Sequence, residues 1–377
     1  MTQVFVPKEI RELEKRVAVT PETVKKLIGT GYGITVESGA GLASHINDDE
    51  YTKVGAVISP DAAKSYGEAD LILKVQAPEP QEVAQIKEGA VLVTHLVPNN
   101  ELDLVKTLMA RKISCFSMNL IPRITIAQKM DSLSSQASLA GYKAVLIGAN
   151  HLAKYFPLLM TAAGTITPAR VVILGAGVAG LMAIATARRL GATVEVSDVR
   201  MAVKEQVESL GAKFIMVETD EDMEDAGGYA KEQSEDFLRL QREEVGKRMA
   251  LADVVITTAL IPGRPAPRLI EENIVQGMKP GSVIVDLAVE QGGNCVLSEP
   301  GSTVVKHGVT IVGELNLPSM IQVHASQLYA RNLMAFMLHM TKDGQFNVDT
   351  EEAVTDGALL THEGACRHEA TQKALEG

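Results

Sequence analysis

The stretch from Arg170 to Arg200, RVVILGAGVAGLMAIATARRLGATVEVSDVR, leaves few folds open to this chain. A β-branched run, RVVIL, feeds straight into Gly175-Ala176-Gly177-Val178-Ala179-Gly180, a G-x-G-x-x-G pattern that opens the helical sequence GLMAIATARRLG. A second strand pattern, TVEVSD, ends at Asp198, 21 residues beyond Gly177. The glycine pattern alone is weak. With a strand before it, a helix after it and an acid at that distance, it specifies a βαβ unit built around a dinucleotide. Gly175 permits the tight turn, Gly177 lets the backbone approach a pyrophosphate, and Gly180 lets helix and strand pack closely. The helix N-terminus offers free N–H groups and a positive dipole to phosphate. Asp198 is placed to accept hydrogen bonds from both hydroxyls of an adenosine ribose and to repel a 2′-phosphate. NAD(H) is therefore favoured over NADP(H), a preference that Arg200 weakens.

The same alternation runs through the rest of the chain. QVFVP, GITVES, DLILKV, AVLVTHL and ISCFSM read as buried strands, and PETVKKLIGTG, DAAKSYGEAD, PEPQEVAQIKEG and NNELDLVKTLMARK as the helices between them. Thr20 before Pro21 is an N-cap with proline at the first helical position. After the fingerprint, KFIMV, DVVITTAL, SVIVDLA and VTIVGE continue the series. Strand–helix alternation predicts parallel sheets covered on both faces. At 377 residues the chain has room for two such domains. The expected fold is α/β, with two Rossmann-like doubly wound parallel-sheet domains. Residues 1–135 plus 320–377 would form an N-terminal domain closed by the C-terminal segment, and 136–319 the NAD-binding domain. The apolar helix ASQLYARNLMAFMLHM is expected to pack back on the first domain, followed by a polar tail from Thr341.

Composition narrows the function. A formal net charge of -11 speaks against nucleic acid and against anionic lipid, since both need a basic face. Aromatics are 4% with no Trp, so base-stacking platforms are not expected. Cys115, Cys295 and Cys366 are scattered and odd in number, which fits a reducing compartment. No apolar run approaches the ~18 residues that span a bilayer, and the N-terminus lacks a signal-peptide core. A cytosolic chain follows, with any membrane contact made through a partner. His362, Cys366 and His368 are too few for a metal site, and none is expected.

Two segments fall outside the strand–helix series. Residues 218–250 form a long, strongly charged insertion whose Gly227-Gly228-Tyr229 marks a hinge in a mobile loop; a solvated helix plus linker accounts for most of it. The other, PRITIAQKMDSLSSQ, begins a helical stretch from about Ile124 to Phe156. At about 100° per residue, Met130, Leu133, Ala137 and Ala140 share a core-facing side. Gln128, Asp131, Ser135 and Ser138 lie opposite, with Ser134 at the edge. A polar face of short Ser, Asp and Gln side chains suits a carboxamide, although an ordinary exposed helix would carry the same pattern.

KRVAVTPETVKKL, VESGAG, ILKV, AAGTITPARVVILGAGVAGLMAIATARRLGA, TTALIPGRPAP and MKPGSVIVDLAVEQGGNC resemble the alanine dehydrogenase/nicotinamide nucleotide transhydrogenase superfamily along nearly the whole chain. Two readings follow. In the first, an NAD-dependent alanine dehydrogenase, Arg16 and Lys74 match the positions that hold pyruvate and His95 the general acid/base. Glu290 departs from this pattern, because the dehydrogenases carry aspartate there. His95 also sits in an apolar run, where a satisfied core histidine is the plainer reading.

In the second reading, favoured here, the spacing R-x4-Q-x2-D-x2-S of Arg123, Gln128, Asp131 and Ser134 resembles the transhydrogenase loop that holds the NAD(H) nicotinamide. The resemblance then implies that Arg123, Asp131, Ser134 and Ser135 orient the nicotinamide, with Asp131 near the ring nitrogen, while Gln128 reaches toward the partner's ring. Asp198, Val199 and Arg200 would hold the adenosine end, and Gly228, Gln241 and Leu260 match further cofactor contacts. The implied activity is that of a Re/Si-specific, proton-translocating NAD(P)+ transhydrogenase, of which this chain supplies a portion of the alpha subunit. One fingerprint and no membrane span put NADP(H) and the proton channel on partner subunits. The chain itself would be a homodimer, peripheral to the cytoplasmic side of the inner (plasma) membrane. A nucleotide-sensing module without transfer is the non-enzymatic alternative.

Overall fold

The computed structural model describes residues 1–216, 235–260 and 265–376, with backbone alone for 235–238. Gly228 and the neighbouring hinge residues lie outside the described residues. The chain divides into two compact units, Met1–Gln136 with Pro318–Gly377, and Ala137–Leu317.

The first unit is built on an eight-stranded sheet. Its order in space is Ala365–Cys366, Leu359–His362, Ser114–Ser117, Val91–Thr94, Leu71–Leu73, Gln3–Val6, Gly33–Glu37 and Val57–Ser59. The six strands from Gln3 to Ser117 are parallel. Their runs bury both faces of the sheet. Val4, Val6, Leu71 and Leu73 belong to one core, while Phe5, Ile72 and Leu92 belong to another. The helix Gln322–His339 covers the first of these faces with Tyr329, Leu333, Phe336 and Met337. The polar tail contains more structure than its composition predicts. Leu359–His362 pairs antiparallel with Ser114–Ser117, and Ala365–Cys366 continues the sheet.

The second unit holds a seven-stranded sheet in the order Lys213–Phe214, Thr193–Ser197, Arg170–Leu174, Val254–Thr257, Val283–Asp286, Val309–Val312, Thr303–Lys306. Only the Thr303–Lys306 edge is antiparallel. The two Rossmann-like sheets are thus parallel-dominated and doubly wound. In each, one strand, Gln3–Val6 or Arg170–Leu174, lies where the strand order reverses. In sheets of this kind, crevices open at the carboxyl ends of such strands.

The stretch around Asp131 is not one continuous helix. A 3-10 turn, Thr125–Met130, stops at Asp131 (φ -70°, ψ 85°), and the helix Ser132–His151 begins after it. The break resets the helical phase. Leu133, expected inside, is 38% exposed, while Ser132 and Gln136 are buried. Met130 is buried as expected, but from the 3-10 turn. No helix among the described residues is long and apolar enough to cross a membrane.

Candidate functional site

In the second unit the fingerprint has the geometry its glycines demand. Gly175 has φ +101°, a left-handed conformation that favours glycine. A Cβ on Gly180 would drive into the Gly175 carbonyl oxygen, so helix and turn pack as closely as glycine allows. A Cβ on Gly177 would meet no atom, which leaves this backbone open to an approaching ligand. Gly177 caps the helix Val178–Arg189, whose first-turn N–H groups at Val178, Ala179 and Gly180 have no partners within the helix. Thr258, from the next strand, ties the turn down by donating to the carbonyls of Leu174 and Gly175 at 3.2 and 3.1 Å.

Asp198 ends the second strand and closes this turn. One carboxylate oxygen accepts the Ala176 N–H at 2.7 Å, and the other accepts the Arg200 N–H at 2.8 Å. The Arg200 guanidinium forks onto both oxygens, at 3.0 and 2.9 Å. Burial alone would raise this carboxyl, but the hydrogen bonds from Arg200 and Ala176 hold it below the usual carboxylate range. Val199 and Arg200 are exposed beside it, and Gln241 donates to the Asp198 carbonyl at 3.4 Å. Leu260 is 44% exposed, next to Ala259. Asn294, which sequence reasoning passed over, accepts from the Ala259 N–H and donates to the carbonyls of Ala259 and Pro267, fixing that loop. It stands in the run EQGGNC, which gives no local sign of that role.

The residues fit a dinucleotide on three observations: an open glycine, unpaired helix N–H groups, and an ionised acid at the end of the second strand. Arg200 must swing away from, or share, Asp198 for ribose hydroxyls to reach it.

In the first unit Arg123 and Gln128 are exposed, and Asp131, Ser134 and Ser135 are half-buried. Asp131 caps the Ser132–His151 helix: its carboxylate accepts the Ser134 N–H at 2.9 Å and the Ser134 hydroxyl at 2.6 Å. The Ser135 hydroxyl points elsewhere, donating to Asn332 Oδ1 at 2.7 Å.

Arg16, Lys74 and His95 also lie in this unit, just past the carboxyl ends of its strands, and all three are satisfied internally. Arg16 forks onto Glu14 at 2.8 and 2.6 Å and donates to Gln136 Oε1 at 2.9 Å. Burial would raise Glu14, but the hydrogen bonds and charge of Arg16 outweigh it and bring the carboxyl down to about 2. Lys74 sits between Glu82 at 2.7 Å and Glu9 at 3.3 Å, and Tyr66 also donates to Glu82. His95 Nε2 lies 2.7 Å from the Ser132 hydroxyl, with its ring edge-on to Tyr329. Burial, reinforced by the nearby Arg16 charge, pushes the imidazole down to about 3, so it is neutral at physiological pH. Glu290, in the second unit, accepts the Asn316 N–H at 2.6 Å.

Residues 5–140 match the family model alanine dehydrogenase/PNT, N-terminal domain, and residues 144–369 match alanine dehydrogenase/PNT, C-terminal domain. The chain belongs to the alanine dehydrogenase/PNT family. Within the family it is 54% identical over 378 residues to the first of the chains that make up NAD(P) transhydrogenase subunit alpha in Rhodospirillum rubrum, with 98% of each chain covered. The solved structure of transhydrogenase from Sinorhizobium meliloti superposes with a TM-score of 0.89 at 46% identity, covering 97% of this chain and 99% of that one. The alanine dehydrogenase of Methanococcus maripaludis is more distant, 30% identical over 380 residues, with 98% of this chain and 95% of the other covered. The likeness to the Rhodospirillum rubrum alpha chain therefore runs the full length of both. It supports an oxidoreductase of the transhydrogenase class that binds a nucleotide.

Proposed function

We propose that this chain is the NAD(H)-binding subunit of a proton-translocating, Re/Si-specific NAD(P)+ transhydrogenase. The observation that carries the choice over an alanine dehydrogenase is the internal saturation of Arg16, Lys74 and His95. A 2-oxo acid entering there would have to displace Glu14 from Arg16 and Glu82 from Lys74. It would also meet a neutral imidazole already bonded to Ser132, which has no proton to give at neutral pH. Transhydrogenation asks for none of these groups. Bound NADH supplies a hydride directly to NADP+ on a partner subunit, and no protein acid or base takes part in that transfer.

The duties left to this chain are to bind, orient and exclude water. The glycine turn and the Val178–Arg189 helix hold phosphate, and Asp198, Val199, Arg200, Gln241 and Leu260 hold the adenosine end. Arg123, Asp131, Ser134 and Ser135 orient the nicotinamide and its carboxamide, and Gln128 reaches toward the partner. Gly228 is assigned to the same cofactor through the family pattern alone. NADP(H) and the proton path belong to partner subunits, as the word "subunit" in the relatives' name suggests. The subunit works as a homodimer, peripheral to the cytoplasmic face of the membrane.

The purified chain is expected to show no ammonia-dependent oxidation of NADH by pyruvate. With an added NADP(H)-binding transhydrogenase subunit, it is expected to catalyse reduction of acetylpyridine-NAD+ by NADPH. Arg123→Ala should lower that rate by about a hundredfold without unfolding the chain. Pyruvate-dependent turnover in place of transfer would reverse the assignment.

A further inference from the structure

The helix Gln322–His339 presents an almost wholly apolar side to the first unit's core, through Tyr329, Leu333, Phe336 and Met337. Asn332 stands among them, 9% exposed. A buried amide is costly unless bonded, and this one is bonded at both ends. Nδ2 donates to the Lys129 carbonyl at 2.8 Å, and Oδ1 accepts the Ser135 hydroxyl at 2.7 Å. The amide orientation follows from chemistry, because the Lys129 carbonyl can only accept.

These two contacts fall on either side of the break at Asp131. Lys129 is in the 3-10 turn that carries Gln128, and Ser135 is in the first turn of the helix that carries Ser134. At such a break the turn and the helix no longer share a continuous hydrogen-bond ladder. Other buried groups hold the helix start alone: His95 reaches Ser132, and Gln136 donates to the Ala325 carbonyl at 3.2 Å. Asn332 joins helix and turn.

We propose that Asn332 is a positioning residue that locks Gln128, Asp131 and Ser134 into one rigid arrangement and so sets the hydride-transfer rate without touching cofactor or substrate. The inference rests on the functional reading above. A bracket that shifts the loop by about 1 Å costs on the order of a hundredfold in rate when chemistry depends on alignment.

The test uses the full chain with an NADP(H)-binding transhydrogenase subunit. Asn332→Leu removes both bonds at similar volume. Asn332→Asp keeps the acceptor for Ser135 but turns a carboxylate oxygen toward the Lys129 carbonyl. Both are expected to lower kcat, Asn332→Leu by about ten- to a hundredfold. The Kd for NADH, read by fluorescence titration on the chain alone, should stay within about threefold, since the loss lies in alignment and not in binding. Transfer at the wild-type rate by either folded variant would overturn the role. So would a loss matched by NADH affinity and melting temperature, or failure of both variants to fold, since each marks a purely structural residue. Absence of transfer by the wild-type chain would instead overturn the functional reading itself, and the role of Asn332 with it.

Discussion

Asp131 caps a helix and, in the reading proposed here, also places a negative charge beside the cofactor. Two substitutions separate these duties. Asparagine is as good an N-cap as aspartate, so Asp131→Asn should leave stability within about 0.5 kcal/mol, whereas Asp131→Ala should cost about 1 kcal/mol. Transfer to the NADP-bound partner should fall in both, by about ten- to a hundredfold, because both remove the charge. Full activity in Asp131→Asn, with denaturant unfolding unchanged, would reduce Asp131 to its cap.

His95 offers a second residue-scale measurement. Its folded imidazole is held down to about 3 against an ordinary value of 6.5. Between those values the unfolded chain binds a proton that the folded chain refuses. Stability is therefore lost as pH falls below the unfolded value, by about 1.4 kcal/mol per pH unit from this group. Arg16, Glu14 and Tyr329 surround the ring. Glu14, brought to about 2, adds a loss of the same sign only under more acid conditions, whereas Glu9, raised by burial, acts in the opposite direction. His95→Gln keeps a partner for Ser132 and removes the titration. Urea unfolding at about pH 6 and about pH 5 should show a shallower dependence in the variant than in wild type. Parallel slopes would mean that the imidazole titrates normally.

Among the elements, the strand Leu359–His362 shows how far composition can mislead. Its sequence, LLTH, offers two apolar residues in a tail otherwise rich in charge, and nothing local marks it as sheet. It forms because Ser114–Ser117 presents an open edge, and because Leu359 and Leu360 each reach a different core. Deleting residues 353–377 should therefore expose that edge and yield an aggregating chain. A monodisperse, cooperatively melting truncation by size exclusion and calorimetry would contradict this.

The same contrast separates what could be read in the sequence from what could not. Buried parallel strands announce themselves in β-branched runs, and the glycine turn announces itself because backbone geometry demands glycine locally. The helix phase could not be read, because one residue, Asp131, leaves the helical region and shifts every later side chain. Ser132 and Gln136 are buried only because His95 and Arg16 partner them. Asn332 grips a carbonyl 203 residues away, and Asn294 fixes a loop 35 residues before it. Such pairings exist only once the chain has folded.

For the whole molecule, the question is what covers the hairpin formed by Leu159–Thr161 and Gly164–Ile166 in the second unit. The two strands pair only with each other. Met160 is 73% exposed, Leu158 53% and Ile166 41%. A two-stranded ribbon is marginal alone in water, and contiguous exposed apolar side chains mark an interface. Twofold pairing is the commonest way for identical chains to bury such a surface, which makes the hairpin the natural seat of the proposed homodimer. Leu158→Asp with Met160→Asp would place two carboxylates per chain in that interface without touching the glycine turn or Asp198. Light scattering should then report the mass of one chain where wild type gives two, with NADH still bound. A dimer that survives both substitutions would move the interface elsewhere, and a monomeric wild type would remove the homodimer altogether.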